Sequence, residues 1–571
     1  MSSRARPAPS LPFFRKPAFW LALLVAFAIA VRAWLLFRSQ LVPGMNGAYY
    51  LVQARSLLEH GRLGIPDLPL TFWLHAGIAK LVQLAVGLPQ DTAILYAVKL
   101  TDSIAPPLLA LPIARLAAQW TPAGERPSTV ACLAPAAAVA FGSPLLRMVG
   151  DFQKNSLALV WFAMLALAAL HFLRRPSLRT MAIPLGLLAL LGLTHIGVLG
   201  SALVFCGVLA AVALVTAERA TRRHIVLLVL LGTTVLGLAG GAAYAFYDPA
   251  RVTRLVEVFA RPASLGDDRG PGRPPGPPPE LAEGTSSIPP DQPPDSGDVP
   301  SGEFGEPPPP PGQPPGSHTW FDPRTLPSAL ICWGFAGAAI WFLWRQRRRL
   351  CAAEFSVAAA AALTCLGLAA PLYDDQKAER LLLIATVPAA IAASFVLTRI
   401  VLLSWSRIVG TCAVAFVLID SARVLHFGGR ASISDATFAE LVSLQTQCPD
   451  PECTLIVARH GLEWWTAWTL HTHIAQPRAV TPADWTSYSQ VLYLREKDGF
   501  GLPPDAGLNG QRPPPSDRPA AGTERGPRFG PSPEEMTLPE NAMTLHEGAS
   551  LTLARVPSAP TEIERPGPPP F

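Results

Sequence analysis

Long apolar runs recur along most of the chain, separated by short polar stretches. A helix needs ~20 consecutive apolar residues to cross ~30 Å of hydrocarbon. Runs at 18–37, 93–115, 129–147, 156–173, 181–197, 199–216, 225–246, 327–344, 354–371, 381–398 and 408–424 come near that length. The pattern predicts an all-α polytopic membrane protein with about eleven transmembrane helices. Residues 70–88 are also apolar, but His75 and Lys80 interrupt them. They are read as a helix lying along the membrane surface.

Basic residues orient the spans, because cytoplasmic loops carry the excess of Lys and Arg. The N-terminal stretch 1–17 holds Arg4, Arg6, Arg15 and Lys16 and is placed in the cytoplasm. The clusters Arg174/Arg175/Arg179, Arg219/Arg222/Arg223 and Arg345/Arg347/Arg348/Arg349 then all fall on that side. Counting 70–88 as a further span would carry Asp151 inside and Arg126 outside. Spans 1–7 occupy 18–247, including a first extracytoplasmic loop at 38–92, and spans 8–11 occupy 327–424. The localisation that follows is a multi-pass cell-membrane protein, read as bacterial inner membrane, with the C-terminus outside.

Two segments lack any apolar pattern. Roughly a third of residues 262–318 is proline, so the loop 248–326 cannot bury a core and is read as disordered. It is a spacer or a ligand for a protein partner. The tail 499–571 is rich in Pro and Gly and is read the same way. Between span 11 and that tail, residues 425–498 alternate helical and strand patterns. The helical pattern covers 431–447 and 461–472, and the strands are Thr454–Ala458 and Val491–Leu494. This predicts a small extracytoplasmic α/β domain. Its Trp464, Trp465 and Trp468 suit domain packing, sugar stacking or the membrane interface.

Composition agrees with the pattern. Of 571 residues, 50% are hydrophobic and only 15% charged. The net charge of +5 comes mostly from Arg beside apolar runs, which suits topology and not nucleic-acid binding. Cys448 and Cys453 are the only cysteines of the C-terminal domain. An extracytoplasmic domain favours a disulfide between them. His460, His471 and His473 have no zinc-ligand spacing to that pair.

Polar groups gather in four loops on the outer side: Gly44–Tyr50, Gly150–Asn155, Thr194-His195 and Asp374–Arg380. Ionisable residues near spans are costly unless paired or functional. Each has a plain reading beside the chemical one. Asp151 and Lys154 form a local pair at a helix start or belong to a site. Arg380 snorkels or binds an anion. His195 is a turn residue or part of the site.

These loops, in this order, resemble the GT-C superfamily of membrane glycosyltransferases, including protein mannosyltransferases, aminoarabinose transferases and oligosaccharyltransferase catalytic subunits. The stretches concerned are Tyr49–Gly61 followed by Pro66–Trp73, Asp151–Asn155 opening a span, Leu193–His195 closing one, and Arg380–Pro388. The resemblance covers most of residues 1–424. It implies a GT-C-like fold and transfer of a sugar from a polyprenyl-phosphate donor at the extracytoplasmic face. It places Arg380 and Lys154 on the lipid phosphate, with His195, Tyr49 and Tyr50 beside the substrate, and membrane lipids around the protein. It leaves room for a divalent metal without requiring one. Relatives carry an acidic residue just before the first-loop tyrosine, where this chain has Met45-Asn46-Gly47. Asparagine accepts no proton at neutral pH. Asp151 is therefore the preferred base and Asp67 the second. The alternative is a non-catalytic GT-C-like scaffold or lipid-binding assembly protein. A transporter suits the sparse intramembrane charge less well.

Overall fold

A computed structural model of the chain describes residues 17–121, 128–246, 326–370, 375–400, 430–497 and 541–558, with scattered positions at 408–422 and 538–539. The N-terminal stretch 1–16, the Pro-rich loop and most of the expected eleventh span, 408–424, lie outside the described residues. Among those described, seven helices are long and apolar enough to cross a membrane, and three shorter apolar helices accompany them.

α1 (Pro17–Phe37) leads into the first loop, which is itself helical: α2 (Gly47–His60) and α3 (Leu70–Val86). α2 ends at Gly61, whose φ of +69° is the left-handed closing conformation that glycine adopts without a Cβ clash. α3 has one face buried, with Phe72, His75 and Ala79, and one exposed, with Trp73, Leu81 and Leu84. That two-sidedness suits a helix between protein and lipid surface. α4 (Gln90–Ile104) passes through a 3-10 turn at Pro106–Leu109 into α5 (Ala110–Gln119).

α6 (Thr129–Phe141) breaks at Gly142 and a short α7 (Ser143–Arg147) follows. α8 (Gln153–Arg174), α9 (Leu178–Thr194), α10 (Ile196–Thr216) and α11 (Arg219–Phe246) continue the bundle. α12 (Leu326–Gln346), α13 (Ala352–Leu368) and α14 (Asp375–Ile400) complete its described part. Small residues line the packing seams, with Ala358–Ala362 of α13 all buried. Lipid tails are as apolar as leucine, so close approach through small side chains drives helix association here. At the other end of α8, Glu354 accepts ion pairs from both Arg174 (2.8 Å) and Arg399 (3.2 Å).

The C-terminal domain holds α15 (Asp435–Ser443), β1 (Thr454–Ala458), α16 (Leu462–Leu470), β2 (His473–Ala475), β3 (Gln490–Glu496), β4 (Met543–Glu547) and β5 (Leu551–Arg555). Its sheet runs β2-β1-β3-β5-β4. β1 pairs in parallel with β2 and β3, and β5 is antiparallel to β3 and β4. This corrects the boundary expected at 498: the tail returns a hairpin to the sheet. The hairpin is legible only weakly, because Met543–Glu547 is mostly exposed and its apolar residues are few. A second correction concerns Cys448 and Cys453, which are free thiols. Cys448 is packed in the core and Cys453 faces out beside Asp450. Burial raises the pKa of the first thiol, and the hydrogen bond with Asp450 raises that of the second.

The first loop and the C-terminal domain share one apolar core. Tyr50, Leu51, Phe72 and Ile94 pack in the same cluster as Leu441, Leu462, Trp465, Leu492 and Leu553. The domain is therefore a lid seated on the first loop, not an appended module.

Candidate functional site

Two loops far apart in sequence meet at Asn46 and Asp151. The Asn46 backbone N–H and its side-chain Nδ2 each donate to Asp151 Oδ1 at 2.8 Å. A carboxylate only accepts, so the Asn46 amide presents its NH2 side to it. Glycines make this approach possible. A Cβ on Gly44 would stand 2.4 Å from the Asp151 Cβ, and one on Gly150 would stand 2.2 Å from the Pro43 carbonyl oxygen. Both glycines also have positive φ, +88° and +79°. The first loop is tied on its far side too, where Gly44 N donates to the Arg430 carbonyl at 2.8 Å.

The neighbouring tyrosines of α2 reach the two expected acids. Tyr50 OH donates to the Asp151 carbonyl at 3.0 Å. Tyr49 OH donates to Asp67 Oδ2, and Gln53 Nε2 donates to Tyr49 OH at 3.1 Å. Burial, with the Asp151 charge next, holds the Tyr50 phenol well above its usual pKa, so it stays a donor. Asp67 is almost wholly buried and ion-pairs with Lys154 from the first turn of α8. The Leu68 N–H donates to its other oxygen at 2.7 Å. Lys154, Tyr49 and the Leu68 N–H between them occupy both oxygens of Asp67, which leaves it tied into the local structure. Asp151 differs. It is half-buried, and the hydrogen bonds seen on its carboxylate use Oδ1 alone.

The remaining expected residues fall as follows. His195 sits between α9 and α10, where its Nδ1 accepts from Val198 N at 3.2 Å and caps α10. Arg380 is exposed on α14, and no described residue forms an ion pair with it. Trp465 and Trp468 are core residues, and Trp464 packs edge-on against Tyr49 with ring centroids 4.8 Å apart. Among the described residues no group of three or more His, Cys, Asp or Glu is placed to hold a metal ion. The donor set does not suit a cation either, because fixed N–H and ammonium donors point at both Asp151 and Asp67.

Several polar residues at this end were not singled out from the sequence. Arg32 of α1 and Asp102 of α4 are both buried and paired, NH2 to Oδ1, at 2.6 Å. Arg32 Nε donates to the Asp102 carbonyl and NH1 to the Leu145 carbonyl, each at 2.8 Å. Asp102 Oδ2 accepts from Gly150 N at 2.7 Å. An Arg and an Asp inside two apolar runs were the available signal, since buried intramembrane charges must be partnered. His460 and Glu463 come from the lid. His460 Nδ1 lies 2.7 Å from Glu463 Oε1, and next to it Gly461 approaches Met45. The bond to Glu463 raises the His460 pKa above its usual value, and the Asp151 charge adds to that. No motif spacing marks these residues; only the seating of the lid brings them here.

No protein-family model matches this chain, and no curated protein matches it by sequence. Solved structures do match. The oligosaccharyltransferase of Archaeoglobus fulgidus in its apo form aligns with TM-score 0.53 and 13% identity, covering 85% of this chain and 70% of that one. ArnT from Cupriavidus metallidurans aligns in its apo state with TM-score 0.46 and 15% identity, over 84% of this chain and 93% of that one. The same ArnT bound to undecaprenyl phosphate aligns with TM-score 0.47 and 14% identity, over 84% and 94%. The fold assignment rests on the first: a mostly helical chain, with helices long and apolar enough to cross a membrane, that shares the fold of that oligosaccharyltransferase and carries a small C-terminal sheet domain.

Proposed function

We propose that this chain, GT-C-like in fold, is a glycosyltransferase that moves a sugar from a polyprenyl-phosphate donor to an acceptor hydroxyl at the extracytoplasmic membrane face. The observation that carries the reading is the Asn46–Asp151 junction. Two loops 105 residues apart present one carboxylate, anchored among the described residues through Oδ1, under a lid. Asp151 takes the proton of the acceptor hydroxyl through Oδ2. The hydroxyl oxygen attacks the anomeric carbon, the bond from that carbon to the phosphate oxygen breaks, and the lipid phosphate departs. A direct displacement of this kind inverts the anomeric centre.

Asn46 keeps the base in place, holding Oδ1 through its backbone N–H and its side-chain Nδ2. Arg380, exposed and without a carboxylate partner among the described residues, meets the departing phosphate through its planar fork. Lys154, committed to Asp67, orders the site more than it binds phosphate. His195 has a capping role. In this reading the N-terminus is cytoplasmic, the membrane is a bacterial inner membrane, and eleven spans cross it.

The test is transfer from polyprenyl-phosphate sugars by the full-length protein in nanodiscs. Loss of a positioned base costs on the order of 10²–10⁴-fold in turnover. Asp151→Asn is expected to lose turnover in that range, and Arg380→Ala to raise the KM for the donor. Undiminished transfer by Asp151→Asn would sink the assignment. The non-catalytic scaffold reading has Asn46 in its favour, since the first loop then offers no acid before Tyr49. Donor binding without turnover, under every acceptor tried, is the outcome it requires.

A further inference from the structure

The Arg32–Asp102 pair has a connection beyond its own charges. Asp102 Oδ1 holds Arg32, while Oδ2 holds the backbone N–H of Gly150, the residue before Asp151. Arg32 in turn holds the Leu145 carbonyl in the middle of α7. One buried ion pair therefore clamps both ends of the segment that delivers Asp151, and anchors it to α1 and α4. Neither side chain is exposed to solvent. Every hydrogen bond of the pair is directed, and a pair this fully satisfied is rigid.

The same turn is under geometric demand. Gly150 has φ +79°, and its α-carbon stands so close to Pro43 that no side chain fits. Val149 N donates to the Leu146 carbonyl and Phe152 N to the Met148 carbonyl, but the Gly150 N–H between them goes to Asp102, so the tie of the turn's apex to the bundle runs through that carboxylate. We propose that Asp102, oriented by Arg32, is the positioning residue of the site, fixing the Gly150–Asp151 turn so that Asp151 meets Asn46. A purely stabilising ion pair needs no bond to the turn. This pair uses one carboxylate oxygen for charge and the other for the backbone of the working loop.

The proposal rests on Asp151 as base, and its test separates the two ideas. Amide exchange over residues 147–152 and transferase kinetics are measured on full-length protein in nanodiscs. Arg32→Met with Asp102→Leu removes both charges at similar volume and deletes the acceptor for Gly150 N–H. Exchange over 147–152 is expected to rise at least about tenfold. kcat is expected to fall at least about tenfold with KM within about twofold, as for a lost transition-state interaction. Arg32→Gln with Asp102→Asn also removes the charges but returns an oxygen to Gly150, and recovers most of the protection and turnover. Should the apolar pair fail to fold, Asp102→Glu keeps the charge, displaces the acceptor, and is expected to raise exchange in the same segment. Unchanged exchange in the apolar pair, or in Asp102→Glu, overturns the positioning role and leaves Asp151 standing as base. Raised exchange with full turnover in Asp151→Asn upholds the clamp and removes Asp151 from the chemistry.

Discussion

Two histidines respond to pH in opposite directions. His75 on α3 is fully buried against Tyr50, their rings 5.8 Å apart, and among the described residues neither of its ring nitrogens has a hydrogen-bond partner. Burial pushes its pKa from 6.5 to about 3, opposed by the nearby Gln153. Between those values the unfolded chain takes up a proton that folded His75 refuses, so stability falls as pH drops, by up to about 5 kcal/mol. His460 behaves in reverse. Its pKa is raised by Glu463, so the stability it adds is present below the ordinary histidine value and is lost as pH rises through the raised one. Thermal unfolding from pH 4 to 8 checks both. His75→Gln should flatten the acid limb, and His460→Gln should flatten the loss on the alkaline side. A wild-type profile in either variant removes that histidine from the account. The sequence held both residues in view, His75 as an interruption of an apolar run and His460 as a rejected zinc ligand. What it lacked was burial, which decides the sign of each shift.

Among the elements, the seating of the lid on α2 turns on Arg55. Its guanidinium lies 3.7 Å over the Trp468 ring, NH1 donates to the Trp468 carbonyl at 2.7 Å, and NH2 pairs with Asp91 at 2.9 Å. Its NH1 also approaches His471 Nδ1 at 3.2 Å. Burial and the Arg55 charge lower the pKa of that ring, so it is neutral and able to accept. Lysine keeps the charge but not the planar fork or the stacking face. Arg55→Lys is expected to weaken docking by about 1–2 kcal/mol. The measurement is amide exchange in 462–470, expected to rise while exchange in α8 and α13 stays unchanged. Equal protection in the variant would show that apolar contact alone seats the lid. Two of the helices themselves were legible: α3 and α16 fall within about two residues of the predicted stretches 70–88 and 461–472. The docking of the lid was not, because Arg55 and Trp468 are 413 residues apart and nothing local links them.

At the scale of the molecule, the chain closes on itself. After crossing the bundle it returns a hairpin, β4–β5, to the lid that covers the first loop. Glu440 of α15 holds the turn of that hairpin, accepting from Ser550 N at 2.7 Å and Leu551 N at 3.0 Å. Those backbone bonds, with His546, lower the Glu440 pKa although desolvation opposes them. Leu551 and Leu553 are fully buried in the core shared by lid and first loop. Ending the chain before Met543 removes both, about 1.5–3 kcal/mol each, and exposes the edge of β3. Such a truncation is expected to make the lid the first site of proteolysis in nanodiscs and to lower transfer, with the bundle intact. A lid as resistant as that of the full chain would mean that β4–β5 is dispensable.

The sequence by itself determined the class of this protein, because bilayer thickness sets helix length and Arg clusters read out as loops. It also determined the positions of α3 and of strands β1 and β3, where periodicity is local. It raised Asn46 and Asp151 as candidates through the order of the loops. Only the tertiary structure decided that these two touch, that Asp67 is spent on Lys154 and Tyr49, and that Cys448 and Cys453 stand apart. The same holds for Arg32 and Asp102, each an unexplained charge in an apolar run until packing makes them one pair. The physical reason is common to all of these. Burial and hydrogen-bond partners across tens to hundreds of residues set the state of an ionisable group, and they exist only once the helices have packed.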